Sequence, residues 1–370
     1  MGAYNPASHK HTRERYGFRL QIGIVGLPGS GKSTVFHALT GARAAGDGYA
    51  RREQPSVAVV RVPDERLDRL VPMFKPKKTV YATVEFADIG GLQGAAADGT
   101  RQGFSSTLLA SARQVDALAV VLGAYGEDAH PGSDLEEIEL ELNFADLSVI
   151  EKRLERLAAD IKKSPAASRA GFEAEHELLT RLKVGLERGT PIRALGVSAE
   201  EAKLLRGYGF LTEKPSFAIV NVAEDHAGAT ETQLELGQPG VTISGTIESE
   251  ITELDPEDAR AFLADLGIAE PGINRVIQVA YTTSNLISFL TVGPDEVRAW
   301  PIRNGSTALE AAGAIHTDIA RGLIRAEVVS YDDLIACGGL VEARKAGVLR
   351  LESKSYIVKD GDICNFLSNV

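Results

Sequence analysis

Cysteine is scarce in this chain, and its scarcity excludes one class of protein. The 370 residues include two cysteines, Cys337 and Cys364. Two thiols cannot build the disulfide framework that stabilises many small secreted domains. Low cysteine use is instead typical of proteins that work in a reducing compartment, so we expect a cytoplasmic location.

Long hydrophobic runs are also absent from the sequence. No apolar stretch approaches the roughly 18 residues that a membrane-spanning helix needs, so we expect no membrane association. Residues 1–18 contain neither an apolar core nor a small-residue cleavage site, which argues against a secretory signal. We expect these residues to form a flexible N-terminal extension.

Positive charge is in short supply as well. Lysine and arginine total 40 against 51 aspartates and glutamates, which gives a formal net charge of −11. No general positive field would attract nucleic acid, so we expect no DNA partner, and an RNA contact would need a local patch.

Since 44% of the residues are hydrophobic and 25% are charged, the chain is a globular one that can bury a core. Its length predicts two or three domains.

The hydrophobic patterns divide the chain into three kinds of structure. Strand and helix patterns alternate in residues 19–126 and again in residues 207–275, which predicts an α/β domain with a mostly parallel sheet. Apolar residues recur at helical spacing within residues 127–206 and are interrupted at Ser164-Pro165, which predicts an inserted antiparallel helical hairpin. Residues 276–370 combine short strands, an alanine-rich helix and a glycine turn, which predicts a small α+β module.

The most specific motif is a glycine-rich loop between a predicted strand and a predicted helix. Residues 26–33 read Gly-Leu-Pro-Gly-Ser-Gly-Lys-Ser, the phosphate-binding pattern G-x-x-x-x-G-K-[ST]. The glycines let backbone amides approach phosphates, and the helix adds its positive end. Lys32 is expected to contact the β- and γ-phosphates, and Ser33 to offer a hydroxyl to Mg²⁺. The predicted nucleotide contacts are Pro28, Gly29, Ser30, Gly31, Lys32, Ser33 and Thr34.

A second part of such a site follows the strand predicted at residues 80–87. Asp88 is predicted to hold Mg²⁺ through its water shell, and the amide of Gly91 to sense the γ-phosphate. Leu92 stands where switch GTPases place a glutamine that orients the attacking water. A leucine side chain neither donates nor accepts a hydrogen bond, so we expect slow turnover. Lys32, Gly91 and Leu92 are therefore the predicted catalytic positions.

Base recognition is predicted at Asn221-Val222-Ala223-Glu224, which follows a buried strand. GTPases carry Asn-Lys-x-Asp at such a place, where the aspartate accepts two N–H groups of guanine. Here a valine replaces the lysine, and Glu224 is one methylene longer than aspartate, which predicts a loss of guanine preference. Ser244, Gly245 and Thr246 are predicted to form the loop that flanks the base, and Asn221, Val222 and Glu224 complete the predicted base site.

Together with three C-terminal runs, these motifs resemble the YchF/Obg-like ATPase family. The runs are Thr291–Trp300, Ala312–Asp318 and Arg321–Val328, and the likeness covers residues 19–370. The resemblance implies a P-loop nucleotide domain, an inserted hairpin and a ubiquitin-like TGS module at residues 276–370. It also implies ATP as ligand and substrate, Mg²⁺ as cofactor, hydrolysis of ATP, and a ribosome or RNA partner in translation or stress regulation.

Two departures from that family pattern affect the expected activity. Gly29 occupies the place of an asparagine that the family links to potassium use, and Arg52 stands in place of a threonine that would touch Mg²⁺. Three hypotheses remain open at this stage. The chain is a slow ATPase switch, a GTP-specific switch, or a nucleotide-sensing module for RNA or ribosomes with negligible hydrolysis.

Overall fold

The structure, a computed structural model, describes residues 19–41, 56–89, 103–227 and 237–369, apart from the side chains of residues 166–168. The predicted extension at residues 1–18 lies outside these described residues, as do Arg52, Gly91 and Leu92. Along the first part of the chain the elements are β1 (Leu20–Gly26), α1 (Lys32–Thr40), β2 (Ser56–Arg61), α2 (Glu65–Phe74), β3 (Lys78–Val80), β4 (Thr83–Asp88), α3 (Ser106–Gln114), β5 (Ala117–Ala124), α4 (Pro131–Lys163), α5 (Ala166–Glu187) and α6 (Ala199–Leu205). The later elements are β6 (Ser216–Val222), β7 (Gly240–Ile243), α7 (Gly245–Glu253), α8 (Pro256–Asp265), α9 (Gly272–Thr283), β8 (Leu286–Thr291), β9 (Glu296–Arg303), α10 (Ala308–Ile315), α11 (Thr317–Gly322), β10 (Leu323–Ser330), α12 (Tyr331–Cys337), α13 (Leu340–Lys345), β11 (Arg350–Glu352) and β12 (Asp362–Ser368).

The first sheet has the strand order β2-β4-β1-β5-β6-β7. The pairs β1–β5, β5–β6 and β6–β7 are parallel. Every residue of β6 is buried, and β5 is buried from Ala117 to Leu122. Strands covered on both faces read as continuous apolar runs, which is why the sequence pattern predicted this sheet. The α/β architecture is confirmed.

The predicted helical hairpin is present as α4 and α5. The helix α4 runs for 33 residues and α5 for 22, with the break at Ser164 and Pro165. Arg153 on α4 meets Glu175 on α5 at 2.8 Å, and Glu151 on α4 meets Lys183 on α5 at 2.8 Å, so the two helices are antiparallel. Despite these lengths, no described helix is both long and apolar enough to cross a membrane.

A buried carboxylate fastens the hairpin to the sheet. Asp146 on α4 is fully buried and receives a hydrogen bond from Arg113 of α3 at 3.0 Å. Its carboxylate also accepts from the backbone N–H groups of Leu211 at 3.1 Å and Thr212 at 2.8 Å, and from the Thr212 hydroxyl at 2.9 Å. A buried charge is stable only when it is paired and hydrogen-bonded, and these partners meet that condition. Asp146 therefore joins α4, α3 and the segment that leads into β6.

The second sheet has the strand order β11-β10-β12-β8-β9-β3. The pairs β10–β11, β10–β12 and β8–β9 are antiparallel, whereas β12–β8 and β3–β9 are parallel. The helix α10 packs on this sheet, and its alanines share a core with Phe289 and Val328. The prediction of a C-terminal α+β module is confirmed; its identity as a TGS module stays a prediction.

The expectation of short strands from Val276 onward is wrong at its start, where the structure has the helix α9. Ile273, Val276 and Ile277 are β-branched and favour strands, but Val276, Ile277, Ala280 and Tyr281 share one helical face and are buried. Glu248 also fixes the first turn, because its carboxylate accepts from the N–H groups of Gly272 at 2.7 Å and Ile273 at 3.2 Å. A side chain 25 positions away therefore helps to decide the conformation.

Two compact units divide the described residues differently from the predicted domains. One unit holds the described parts of Gln21–Ala58 and Phe86–Val276, so the hairpin belongs with the nucleotide domain. The other contains Val59–Glu85 and the described residues from Ile277 onward. The sequence patterns predicted that Val59–Glu85 is part of the nucleotide domain, but β3 pairs with β9, and Arg66 of α2 forms an ion pair with Asp360 at 2.7 Å. These long-range contacts move the segment to the C-terminal unit.

Candidate nucleotide-binding site

The glycine-rich loop joins the end of β1 to the start of α1, as predicted. Gly29 has a φ of 79° and Gly31 a φ of 86°, in the left-handed region that favours glycine. At Gly31 space is restricted too, because a Cβ there would lie 2.0 Å from Nδ2 of Asn221. At Gly29 nothing lies within 4 Å of the place of a Cβ, so only the backbone angle favours glycine. The loop thus keeps two backbone positions free of side chains.

Lys32 lies at the first position of α1, with its ammonium group turned towards the loop. Its Nζ donates to the carbonyl oxygen of Leu27 at 2.6 Å. Burial lowers the pKa of Lys32 from its usual value of 10.5, and the carboxylate of Asp88 opposes that change. A partly desolvated ammonium gains more from an approaching anion than an exposed one, because the effective dielectric is lower. This lysine is suited to bind phosphate charge.

Other loop residues surround the start of α1. Pro28, Gly29 and Ser33 are exposed, Thr34 is half-buried, and Ser30 is buried. The first N–H groups of a helix have no partner within the helix, and they carry the positive end of its dipole. Gly31 is the N-cap of α1 and has no side chain to satisfy them. This helix start can accept an anion.

Asn221 connects the loop to the predicted base-binding segments. Its Nδ2 donates to the carbonyl oxygen of Ser30 at 3.2 Å, and its Oδ1 accepts from the N–H of Gly245 at 2.8 Å. Asn221 is 5% exposed, so both bonds are shielded from water. The structure therefore brings together Ser30, Asn221 and Gly245, which the sequence analysis placed in one site.

The remaining base-site residues differ in their exposure. Val222 is 7% exposed at the end of β6, whereas Glu224 is exposed in a short 3₁₀ turn at Glu224–His226. Ser244 is buried, and its Oγ has no hydrogen-bond partner among the described residues; Thr246 is exposed on α7. The side chain at position 222 thus offers a base little surface, while the carboxylate at position 224 lies in solvent.

Asp88 ends β4, which lies beside β1 in the sheet. It is half-buried and acts electrostatically on Lys32. Its carboxylate and the exposed hydroxyl of Ser33 are oxygen donors of the kind that Mg²⁺ prefers. The two predicted metal residues therefore fit the ion chemically, whereas Gly91 and Leu92 lie beyond the described residues and stay predictions.

Tyr125 is a site residue that sequence reasoning missed. Its hydroxyl donates to the carbonyl oxygen of Gly29, and burial raises the pKa of Tyr125. A signal was present, because Tyr125 directly follows β5, which pairs in parallel with β1. The carboxyl ends of neighbouring parallel strands meet at one edge of a sheet, and ligands bind there. An aromatic residue at that place could have been named as a loop contact.

Comparisons with known proteins decide the family. A family model named YchF-GTPase_C and described as a protein of unknown function (DUF933) matches residues 286–369, and a model of a 50S ribosome-binding GTPase matches residues 21–153. The "Ribosome-binding ATPase YchF" of Bacillus subtilis (strain 168) is 40% identical over 370 residues, which cover 95% of this chain and 100% of that protein. The chain belongs to the YchF family.

A plant protein and a solved structure are also similar to this chain. The "Obg-like ATPase 1" of Oryza sativa subsp. japonica is 34% identical over 378 residues, which cover 96% of this chain and 94% of the relative. The solved structure of the Schizosaccharomyces pombe YchF GTPase shares 31% identity and a TM-score of 0.82, and covers 94% of this chain and 97% of that chain. The resemblance inferred from the motifs is confirmed.

Proposed function

We propose that this YchF-family protein binds ATP with Mg²⁺, hydrolyses it slowly and acts on the ribosome. The relatives named "Ribosome-binding ATPase YchF" support the ligand, the reaction and the partner. The observation that carries the proposal is the phosphate loop, in which Gly29 and Gly31 adopt positive φ before the half-buried ammonium of Lys32. This arrangement presents backbone amides and one cation to a triphosphate.

Each part of the loop has a task in phosphate binding. The unpaired backbone amides at the start of α1 would face the β-phosphate, and Lys32 would neutralise charge on the β- and γ-phosphates. The hydrogen bond from Asn221 to Ser30 keeps the loop backbone in place, so that little ordering is needed when nucleotide binds. The hydroxyl of Tyr125 supports the same loop at Gly29.

Ser33 and Asp88 are the residues that would hold Mg²⁺. When bound, the ion screens charge that develops on the phosphate oxygens during transfer. Asp88 also lies close enough to Lys32 to raise the pKa of the ammonium against the effect of burial. One carboxylate thus supports both the metal and the lysine.

Adenine is the proposed base, although three of the names found for similar proteins contain "GTPase". Guanine recognition needs a carboxylate placed to accept from two N–H groups at once. Glu224 has a longer side chain than the aspartate that does this, and it lies in an exposed turn. Val222 replaces the lysine whose stem would cover the base. Adenine has no such pair of N–H donors, so the glutamate at position 224 costs ATP no hydrogen bond.

Turnover is proposed to be slow because of Leu92. Leu92 lies outside the described part of the chain, and the proposal depends on the chemistry of its side chain. A leucine cannot orient a water molecule, and water positioning must then come from another group or from a partner. The competing hypothesis is a nucleotide-sensing module whose hydrolysis is negligible.

A single-turnover assay separates these functions. Enzyme in excess over labelled ATP or GTP should convert ATP slowly and GTP less, with Mg²⁺ required. Lys32→Ala should abolish triphosphate binding, whereas Lys354→Ala, at an exposed lysine of the C-terminal unit, should leave it unchanged. No conversion of ATP with intact binding would support the sensing module, and faster conversion of GTP would support the GTP switch.

The ribosome is the proposed partner, and a cytoplasmic location follows from it. Both proposals are supported by the names of the relatives and not by a particular surface of this chain. Cosedimentation of the protein with 70S ribosomes, with and without ATP, tests the proposal. If the protein cosediments with ribosomes neither in the presence nor in the absence of ATP, the proposal is contradicted.

A further inference from the structure

In the second sheet, the strand β12 is longer than the part that its neighbour β8 covers. On one side, β12 pairs with β10 from Asp362 to Ser368. On the other side, its ladder with β8 has one pair, Ile363 with Leu290, and β8 ends one residue later at Thr291. Beyond Cys364, no strand of the described residues pairs with the edge of β12 that faces away from β10. The second half of β12, residues 365–368, therefore has an open edge, on which no strand of the described residues is paired.

A cavity of about 360 Å³ lies at that edge. Its lining includes Ile363 and Asn365 as well as Cys364 and Phe366. Successive side chains of a strand point to opposite faces of the sheet, so these two pairs belong to different faces. A cavity lined from both faces of one strand lies beside the strand, where the next strand of a sheet would be.

The walls of the cavity are mainly aliphatic. They are formed by Val292, Ile315, Ile319, Leu340 and Leu349. The two charged residues of the lining neutralise each other, because Arg344 donates to Glu327 at 2.7 Å. Asn365 also donates to Glu327, at 2.9 Å. These walls favour uncharged aliphatic groups over a phosphate backbone, since the lining arginine is already paired.

We propose that this open edge binds an extended segment of a partner polypeptide by β-strand addition. An open edge presents unpaired N–H and C=O groups at alternate positions, and these form a ladder with an incoming strand. The cavity then receives aliphatic side chains of the segment, and its volume lies in the range of ligand pockets, about 300–1,000 Å³. Backbone bonds provide affinity in this mode, and the aliphatic pocket selects the side chains.

Hydrogen exchange on the full-length chain tests the proposal directly. The probe is a capped peptide, Lys-Val-Ser-Val-Ser-Val-Lys, and the control has proline in place of the central valine, because proline cannot donate to a ladder. Within residues 365–368, we expect the probe to slow exchange of the amides that face away from β10, and the control not to, because the amides that face β10 are already part of the ladder with that strand. Fluorescence of Trp300, the single tryptophan, gives a second readout, because its Nε1 donates to Thr291 at 3.0 Å and Thr291 lines the cavity.

A pair of matched variants locates the site. Ile319→Lys places a charge in the aliphatic wall and should weaken peptide binding by about tenfold or more. Leu309→Lys makes the same kind of change at an exposed position of α10 outside the cavity, and should leave binding unchanged. Val292→Ser serves as a second wall variant if Ile319→Lys does not fold.

Several results would overturn the proposal. Absence of a saturable response up to the solubility limit of the peptide is one, and equal binding of the proline control is another. Protection, without peptide, of the amides at residues 365–368 that face away from β10 would mean that the chain covers its own edge. Protection that rises with protein concentration would assign the edge to a second copy, and protection by oligouridylate alone would assign it to RNA.

Discussion

Asn221 donates its side-chain amide to the carbonyl oxygen of Ser30 at 3.2 Å, across 191 positions of sequence. The same side chain accepts from the N–H of Gly245 at 2.8 Å. One buried amide thus holds the phosphate loop and the start of α7 in a fixed relation. Gly31 makes this contact possible, because a Cβ there would collide with the amide.

Asn221→Ala should weaken both folding and nucleotide binding. The change leaves the carbonyl oxygen of Ser30 and the N–H of Gly245 without their partner, which costs about 1–3 kcal/mol for buried groups. Urea unfolding measures the loss of stability, and calorimetry with ATP measures the loss of affinity. Asn304→Ala, at an exposed position, is the control. Unchanged ATP affinity in Asn221→Ala would contradict the positioning role.

ATP binding should weaken as the pH rises towards 10.5. Burial lowers the pKa of Lys32 below 10.5, so the ammonium begins to lose its proton under milder alkaline conditions than an exposed lysine. Between the lowered pKa of Lys32 in the folded protein and its ordinary pKa of 10.5, the unfolded chain binds more protons than the folded one. The contribution of Lys32 to folding stability therefore rises with pH in this range. A bound triphosphate favours the protonated form, so binding takes up protons there. Calorimetry in buffers of different ionisation enthalpy measures the uptake, and its absence would refute the assignment.

Removing the carboxylate of Asp146 should lower the stability of the protein, because this group connects the hairpin to α3 and to the segment before β6. Asp146→Ala leaves Arg113 and the N–H groups of Leu211 and Thr212 without a buried partner, and breaking such a pair costs about 3–5 kcal/mol. Chemical denaturation measures the change, with Asp128→Ala at an exposed carboxylate as control. A loss no greater than that of the control would show that α4 is held by apolar packing alone.

Potassium should have little influence on hydrolysis. Gly29 has no side chain to coordinate a monovalent cation, in contrast to the asparagine that the family resemblance implies at this position. Exchange of K⁺ for Na⁺ should therefore leave the rate nearly unchanged. Gly29→Asn should introduce a potassium response, because no atom lies within 4 Å of a Cβ at this position and asparagine tolerates a positive φ. A strong potassium effect in the unmodified protein would show that another group forms the cation site.

Local patterns in the sequence predicted much of the fold and the position of the glycine-rich loop between β1 and α1. The phosphate loop and the break at Ser164 are encoded within a few neighbouring residues, and both are present. Contacts between distant segments were not predictable in this way. The pairing of β3 with β9, the capping of α9 by Glu248 and the support of the loop by Tyr125 each depend on the folded chain.

The preference for adenine over guanine is the central claim about the site. Glu224 is too long to accept from both guanine N–H groups, and a mispaired polar group costs about 1–3 kcal/mol, or about one to two decades of affinity. The double change Val222→Lys with Glu224→Asp should narrow or reverse the preference, although Val222 is 7% exposed and the lysine must extend out of a buried position.

Competition of labelled ATP by unlabelled ATP and GTP tests this claim most directly. In the unmodified protein, GTP should compete at least about tenfold more weakly than ATP. Equal competition by the two nucleotides would contradict the assignment of Asn221–Glu224 as a site for adenine.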